Sequence, residues 1–370
     1  MNDLAERGSS KSKWQIEQRS GRPYRPLPQP TENERIKKFT KYREDFSLLL
    51  SEARPDPSEL ATAHKEIDQL KTTLSKFIEA KSAIRVTNMI VAGSLGTNTL
   101  CSNRWDVDFV LMTPDLPYNG HIMWMPSFVV ALCRMLVDGA EEGKLEGCTD
   151  FVYSSYAVQF IFKGKIEVDL MTSYDWQQTG DNGFDSLYDE LLRQRTSENL
   201  TWFCPAAAER QIMFIEEQPD QVKDLIKVVK YWRNAADWNE KRWRPSSYLL
   251  SLLLIRAYEN ACHIIEGSLP SNRTVLKCFV KLVLSTANSK PAPVRISWSR
   301  FYEPKDYNIE YSSSGNTECP PIIQDPANPA NNVAERPVSW HPFRQMLEVW
   351  AHDLGMMEEG TLLPITTGRR

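Results

Sequence analysis

Two hydrophobic periods follow one another along this chain of 370 residues. Helical spacing comes first: Phe46, Leu49 and Leu50, then Ile67, Leu70, Leu74 and Ile78, recur three and four apart. Pro55-Asp56-Pro57 breaks the pattern, which predicts two helices between Thr31 and Ala80. Strand-like runs follow. Val86 to Ala92 reads as a strand ending at Gly93-Ser94, and Val107 to Met112 as a second, while Met125 to Gly139 has the composition of a buried helix. Phe151 to Phe162 and Lys165 to Met171 are expected to form a hairpin turning at Lys163-Gly164-Lys165. Alternation there puts Ile166, Val168 and Leu170 on one face and Glu167 and Asp169 on the other. Beyond about residue 185 the period is helical, over Gln221 to Trp238, Ser246 to Cys262 and Arg273 to Ala287. A loop-rich stretch from Lys290 to Pro337 precedes a last helix, His341 to Asp353. No internal repeat is visible. Strands confined to the first half and helices dominating the second predict an α+β fold with a mixed sheet, packed against a helical carboxyl-terminal domain.

Composition narrows the class. With 41% apolar residues and 11 tryptophans the chain can bury a large core, and its length suits two domains. The division expected is a basic, proline-rich tail over 1–30, a catalytic domain over 31–185, a helical domain over 186–355 and a short tail over 356–370. A formal charge of -4 argues against indiscriminate coating of nucleic acid, which needs clustered Lys and Arg to neutralise phosphates. Seven cysteines, an odd number without a Cys-x-x-Cys pair, suit neither a disulfide framework nor a zinc ribbon. A cytoplasmic or nuclear setting is the expectation. Residues 1 to 30 hold no hydrophobic run of signal-peptide type, and the apolar stretch Tyr248 to Ile255 is too short to span a bilayer, so neither secretion nor a membrane partner is expected.

The chemistry concentrates in three aspartates. Asp106 and Asp108 are two apart, so on a strand their carboxylates project to the same side, and Asp169 belongs to a later strand. Carboxylate oxygens are hard ligands suited to magnesium, and three aspartates suit two ions that assist in-line displacement at an α-phosphorus. Gly93 and Ser94 close the preceding strand, where a missing side chain, a hydroxyl and free N–H groups let the backbone approach a triphosphate. A Gly-Ser turn alone, or Asp-x-Asp alone, is more often ordinary loop or strand edge. Joined in this order with the third aspartate they are far more specific. Cys262, His263 and Cys278 lack the spacing of a structural zinc site, and His64, His121, His341 and His352 stand apart from one another.

These motifs resemble the 2'-5'-oligoadenylate synthetase family, within the wider group of cyclic GMP-AMP synthase-like nucleotidyltransferases. The resemblance spans roughly residues 85 to 355. It rests on the Gly93-Ser94 to Asp106-x-Asp108 spacing, Ile166-Glu167-Val168-Asp169, the run from Val222 to Trp232, Arg244-Pro245-Ser246-Ser247-Tyr248-Leu249, and Asp325-Pro326-Ala327-Asn328-Pro329. It implies a polymerase-β-like core, ATP or another nucleoside triphosphate as substrate, two magnesium ions held by Asp106, Asp108 and Asp169, and an antiviral role in innate immunity. It further implies donor-phosphate contacts from Ser94, Lys227 and Lys230 and base packing by Tyr248. Two departures stand out. Thr97 and Val91 replace basic residues beside the Gly-Ser turn. Ile212 and Glu216 occupy the positions that contact RNA phosphates in members activated by double-stranded RNA, and a carboxylate there repels phosphate. RNA as an activating partner would need another surface, for which Arg35, Lys37, Lys38, Lys41 and Arg43 are candidates. Alternatives remain a maker of cyclic dinucleotides and a catalytically silent RNA- or partner-binding module.

Overall fold

The structure, a computed structural model, describes residues 39–117, 121–179, 183–193, 203–238, 240, 243–265, 267–286, 293–307, 321–334 and 340–357. The tail over 1–30 and Arg35, Lys37 and Lys38 lie outside them.

Asp45 caps α1 (Phe46–Ala53) by accepting from the Leu48 amide, and Asp56 caps α2 (Pro57–Lys81), whose first position is proline. A five-stranded sheet follows: β1 (Asn88–Ala92), a one-turn helix α3 (Gly93–Gly96), β2 (Asp106–Thr113), α4 (His121–Glu141), β3 (Cys148–Tyr153), β4 (Ala157–Phe162) and β5 (Ile166–Tyr174). The stretch expected as one strand, Phe151 to Phe162, is two. It folds back at Ser154, whose hydroxyl accepts from the Tyr156 and Ala157 amides, so β3 and β4 are antiparallel neighbours. The sheet order is β1-β2-β5-β4-β3, with β2 and β5 parallel and the other pairs antiparallel. Sheet, α2 and α4 share one core, which includes Leu74, Phe109, Leu136, Phe160 and Val168. α4 is long and apolar enough to cross a membrane from Met123 to Glu141, but Met125, Val129, Leu132 and Leu136 are buried against the sheet.

The second half is helical, through α5 (Gly183–Arg193), α6 (Ala208–Glu216), α7 (Asp220–Ala235), α8 (Ser247–Ile264), α9 (Asn272–Thr286) and, after two-residue strands β6 (Arg295–Ile296) and β7 (Ile322–Ile323), α10 (Trp340–Asp353). Its core is apolar and aromatic, with Trp232 stacked on Trp350 at 4.9 Å. Packing does not follow chain order: Leu49 and Ala53 of α1, with Phe39 and Tyr42, are buried in this carboxyl-terminal core. Lys41 lies within, and Arg43 ends, a single 3-10 turn, Thr40–Tyr42, and not a regular helix. Lys41 pairs with Glu52 at 2.8 Å and Arg43 donates to the His352 carbonyl at 2.9 Å, so both cations are engaged within the fold.

Candidate active site

Strand register brings the carboxylates together. In the β2–β5 ladder Asp108 stands opposite Asp169 and Asp106 opposite Glu167, and alternation turns all four side chains to the partly exposed face. Asp108 is also opposite Ala92 on β1, which delivers Gly93 against it. Gly93 has φ +64, and a Cβ there would collide with Asp108 Oδ2. The approach and the dihedral both require glycine.

Each carboxylate has a distinct environment. Asp106 accepts from Ser94 Oγ at 3.1 Å through Oδ1 and pairs with Arg104 Nε at 3.2 Å through Oδ2. The same guanidinium reaches Glu167 at 3.3 Å. Asp169 accepts from Gln159 Nε2 at 2.8 Å. Asp108 keeps a small opening to solvent. Burial, then the negative charges of Asp169 and Asp106, push its carboxyl up to about 7 against the pull of Arg104 and Lys230.

The donor set is oxygen only, which fits a hard divalent cation. Among the described residues no group of three His, Cys, Asp or Glu side chains is close enough to hold a metal ion together. Arg104, Ser94 and Gln159 occupy the carboxylates instead, so the set fits the ion chemically without forming a closed cage. Cys262, His263 and Cys278 form no metal cluster either.

Lys227 and Lys230 diverge although they are three apart on α7. Lys230 is buried and donates to Thr99 Oγ1 at 2.7 Å and to the Thr99 carbonyl at 3.3 Å. Burial pushes its ammonium down to about 8, while Cys101, Asp106 and Asp108 favour the charge. Lys227 pairs with Asp224 at 3.4 Å, and Asp224 also holds Arg54 at 2.5 Å. Thr97, standing where a lysine was expected, is turned inward: its hydroxyl donates to the Gly93 carbonyl at 2.8 Å and lies 2.8 Å from Thr99 Oγ1. Ile212 packs beside Gly96 on the face of the sheet that carries the aspartates, with Ile90, Val110 and Met112, and Glu216 is exposed.

Tyr248 opens α8, its ring partly exposed and its hydroxyl donating to Asp325 Oδ1 at 2.8 Å. Asp325 is fully buried and also accepts from the Ala327 amide at 2.9 Å, Gln211 at 2.9 Å and Asn331 at 3.1 Å. Burial raises its pKa against those four donors. Asp325 of the Asp-Pro-Ala-x-Pro segment thus fixes the Tyr248 hydroxyl.

Residues 181–364 match the family model described as 2'-5'-oligoadenylate synthetase 1, domain 2, C-terminus. The chain is 24% identical over 292 residues to 2'-5'-oligoadenylate synthase 1A of Mus musculus, covering 74% of this chain and 77% of that one. It is 22% identical over 340 residues to a Mus musculus protein named inactive 2'-5'-oligoadenylate synthase 1D, covering 84% and 92%. Among solved structures, the CdnC:HORMA-deltaN complex of E. coli MS115-1 matches with a TM-score of 0.52 at 17% identity over 86% of this chain and 89% of that chain. A cytoplasmic RNA terminal U-transferase matches with a TM-score of 0.51 at 14% identity over 85% and 93%. These likenesses are of fold: a mixed sheet backed by helices.

Proposed function

The chain belongs to the 2'-5'-oligoadenylate synthetase family, and on that footing we propose that it joins AMP units from ATP, a ribose 2'-hydroxyl attacking the α-phosphate and pyrophosphate leaving. The observation that carries this reading is the register that sets Asp108 opposite Asp169, with Asp106 on the same face and the Gly93-Ser94 turn against them. Asp106, Asp108 and Asp169 would hold magnesium, which when bound makes the attacking hydroxyl more acidic and neutralises charge on the leaving pyrophosphate.

The protein's own groups supply the rest. Asp169 stands beside the attacking side and accepts the hydroxyl proton, with Gln159 fixing its carboxylate. Ser94 and the α3 amides face the outer phosphates, and Lys230 exchanges its Thr99 contacts for phosphate oxygens. Tyr248, its hydroxyl fixed by Asp325, offers its ring to the donor base. The carboxylates must shed Arg104 and Ser94 before they can share an ion, which makes activation a shift between two arrangements of the cleft.

Some relatives carry names that begin with "inactive". All three aspartates and Ser94 are present here, and carboxylates gathered this closely repel one another, a cost that a divalent cation would relieve. Purified protein incubated with ATP and magnesium, with and without double-stranded RNA, is expected to release pyrophosphate and form a linear adenylate ladder. A single cyclic product would replace the linear reading with the cyclic one. Absence of any product from folded protein across an activator panel would remove both.

A further inference from the structure

We propose that Arg233, together with Arg104 and Arg244, forms a phosphate subsite in the cleft between the two halves, beyond the pair Lys227 and Lys230. The inference rests on the nucleotide-transfer reading only for the identity of the ligand, a nucleotide polyphosphate.

α7 carries Lys227, Lys230 and Arg233 at three-residue steps, so successive cations advance along the helix toward the start of α8. Arg233 is the last of them. Its Nε donates to the Pro245 carbonyl and its Nη1 to Asn234 Oδ1 at 3.0 Å. Arg244 donates to that same Asn234 oxygen through Nη2. Asn234 in turn donates to Asn103 Oδ1 at 3.1 Å and to Cys101 Sγ at 3.2 Å, and Asn103 donates to the Tyr231 carbonyl at 3.1 Å. Residues 101–104, leading into β2, and the facing ends of α7 and α8 are therefore laced together around one neutral amide.

The charge pattern is the unusual part. Among the described residues, Arg233 hydrogen-bonds only a carbonyl and an amide oxygen, and its Nη2 has no partner. Burial and then the guanidinium groups of Arg244 and Arg104 push it down to about 9, while Asp106 and Cys101 favour its charge. At neutral pH it stays a cation whose hydrogen-bond partners are neutral, and of the neighbouring guanidinium groups Arg104 is paired with Asp106 and Glu167. A half-buried guanidinium with only neutral partners is left without a counter-charge, and its fork matches tetrahedral phosphate oxygens in two-point fashion. Arg104, in the segment leading into β2, is 3.2 Å from Asp106. A polyphosphate reaching Arg233 would draw Arg104 toward itself and release Asp106, coupling anion binding to freeing of the carboxylate.

The test is calorimetric titration of the full chain with inorganic tripolyphosphate and, separately, with adenosine. Arg233→Gln is expected to weaken tripolyphosphate binding about tenfold or more, the loss of a charge-assisted hydrogen bond. Arg233→Lys should fall between, and adenosine binding should not change. Equal affinity of wild type and Arg233→Gln for tripolyphosphate would overturn the proposal, as would no tripolyphosphate binding by wild type. An equal loss for adenosine would also overturn it, marking Arg233 as a brace for the Pro245 carbonyl alone. If Arg233→Gln unfolds, Arg104→Gln reads the same affinity, and an unchanged value overturns the proposal. Comparing a non-cleavable ATP analogue with adenylate dimers bearing a 5'-triphosphate or a 5'-hydroxyl assigns the subsite to donor or acceptor, either of which supports it. A chain that makes no product yet loses tripolyphosphate affinity in Arg233→Gln keeps the subsite and loses the catalytic reading.

Discussion

Replacing Asp108 by Asn should make the metal-free protein more stable at pH 8 while abolishing its chemistry. Folding raises the Asp108 pKa from 3.8 to about 7, through burial first and the charges of Asp169 and Asp106 second. Below pH 3.8 both folded and unfolded chains hold the proton and the site costs nothing. Between 3.8 and about 7 the unfolded chain has lost it while the folded chain keeps it, so stability falls as pH rises. Above 7 the full cost stands. That gap, at roughly 1.4 kcal/mol per pH unit, sets a ceiling of about 4 kcal/mol, and partial contact with solvent lowers the expectation to about 2 to 4 kcal/mol. Asn keeps the shape and removes the charge. Urea denaturation in chelator should therefore show Asp108→Asn gaining about 2 to 4 kcal/mol over wild type at pH 8 and only about 1 kcal/mol at pH 5. A stability difference that does not grow between pH 5 and pH 8, or a variant less stable at both, would refute the reasoning. Magnesium with a nucleotide analogue should stabilise wild type and not the variant.

Gly93→Ala forces a Cβ into Asp108 Oδ2 at φ +64, and activity should fall at least about a hundredfold with a stability loss of about 1–3 kcal/mol, read by steady-state rates and thermal melts. Asp325→Ala leaves the Tyr248 hydroxyl, two amide side chains and the Ala327 amide without their buried acceptor; chemical denaturation should show a loss of about 3 kcal/mol or more. The pH profile of kcat/KM should be bell-shaped, falling below about 7 as Asp108 takes up a proton and above about 8 as Lys230 gives one up. Raising magnesium should move the acid limb to lower pH, and a limb that stays fixed would detach Asp108 from the metal.

Much of the site could be read from spacing. The i, i+2 step of Asp106 and Asp108 and the alternation around Asp169 put the carboxylates on one face, because strand geometry leaves little freedom. Gln159 was also within reach. Counting outward from Lys163-Gly164 pairs Phe162 with Ile166 and hence Gln159 with Asp169. Arg104, two residues before Asp106, obeys the same alternation. What spacing cannot supply is contact between distant segments. Lys227 and Lys230 look equivalent on a helical wheel, yet Asp224 with Arg54 takes one and Thr99 the other. The packing of α1 into the carboxyl-terminal core likewise depends on Leu49 and Ala53 finding α7, which no local pattern encodes. The β3–β4 turn is not legible in the sequence because Tyr153 and Tyr156 bracket Ser154-Ser155 with residues common in strands.

Whether the aspartate face transfers nucleotides is tested most directly by mass spectrometry of reactions containing ATP, magnesium and an activator panel, with wild type beside Asp108→Ala. The account predicts pyrophosphate and a linear ladder of adenylates from wild type and neither from the variant. Product formation that survives Asp108→Ala, or none from folded wild type under any activator, would contradict it.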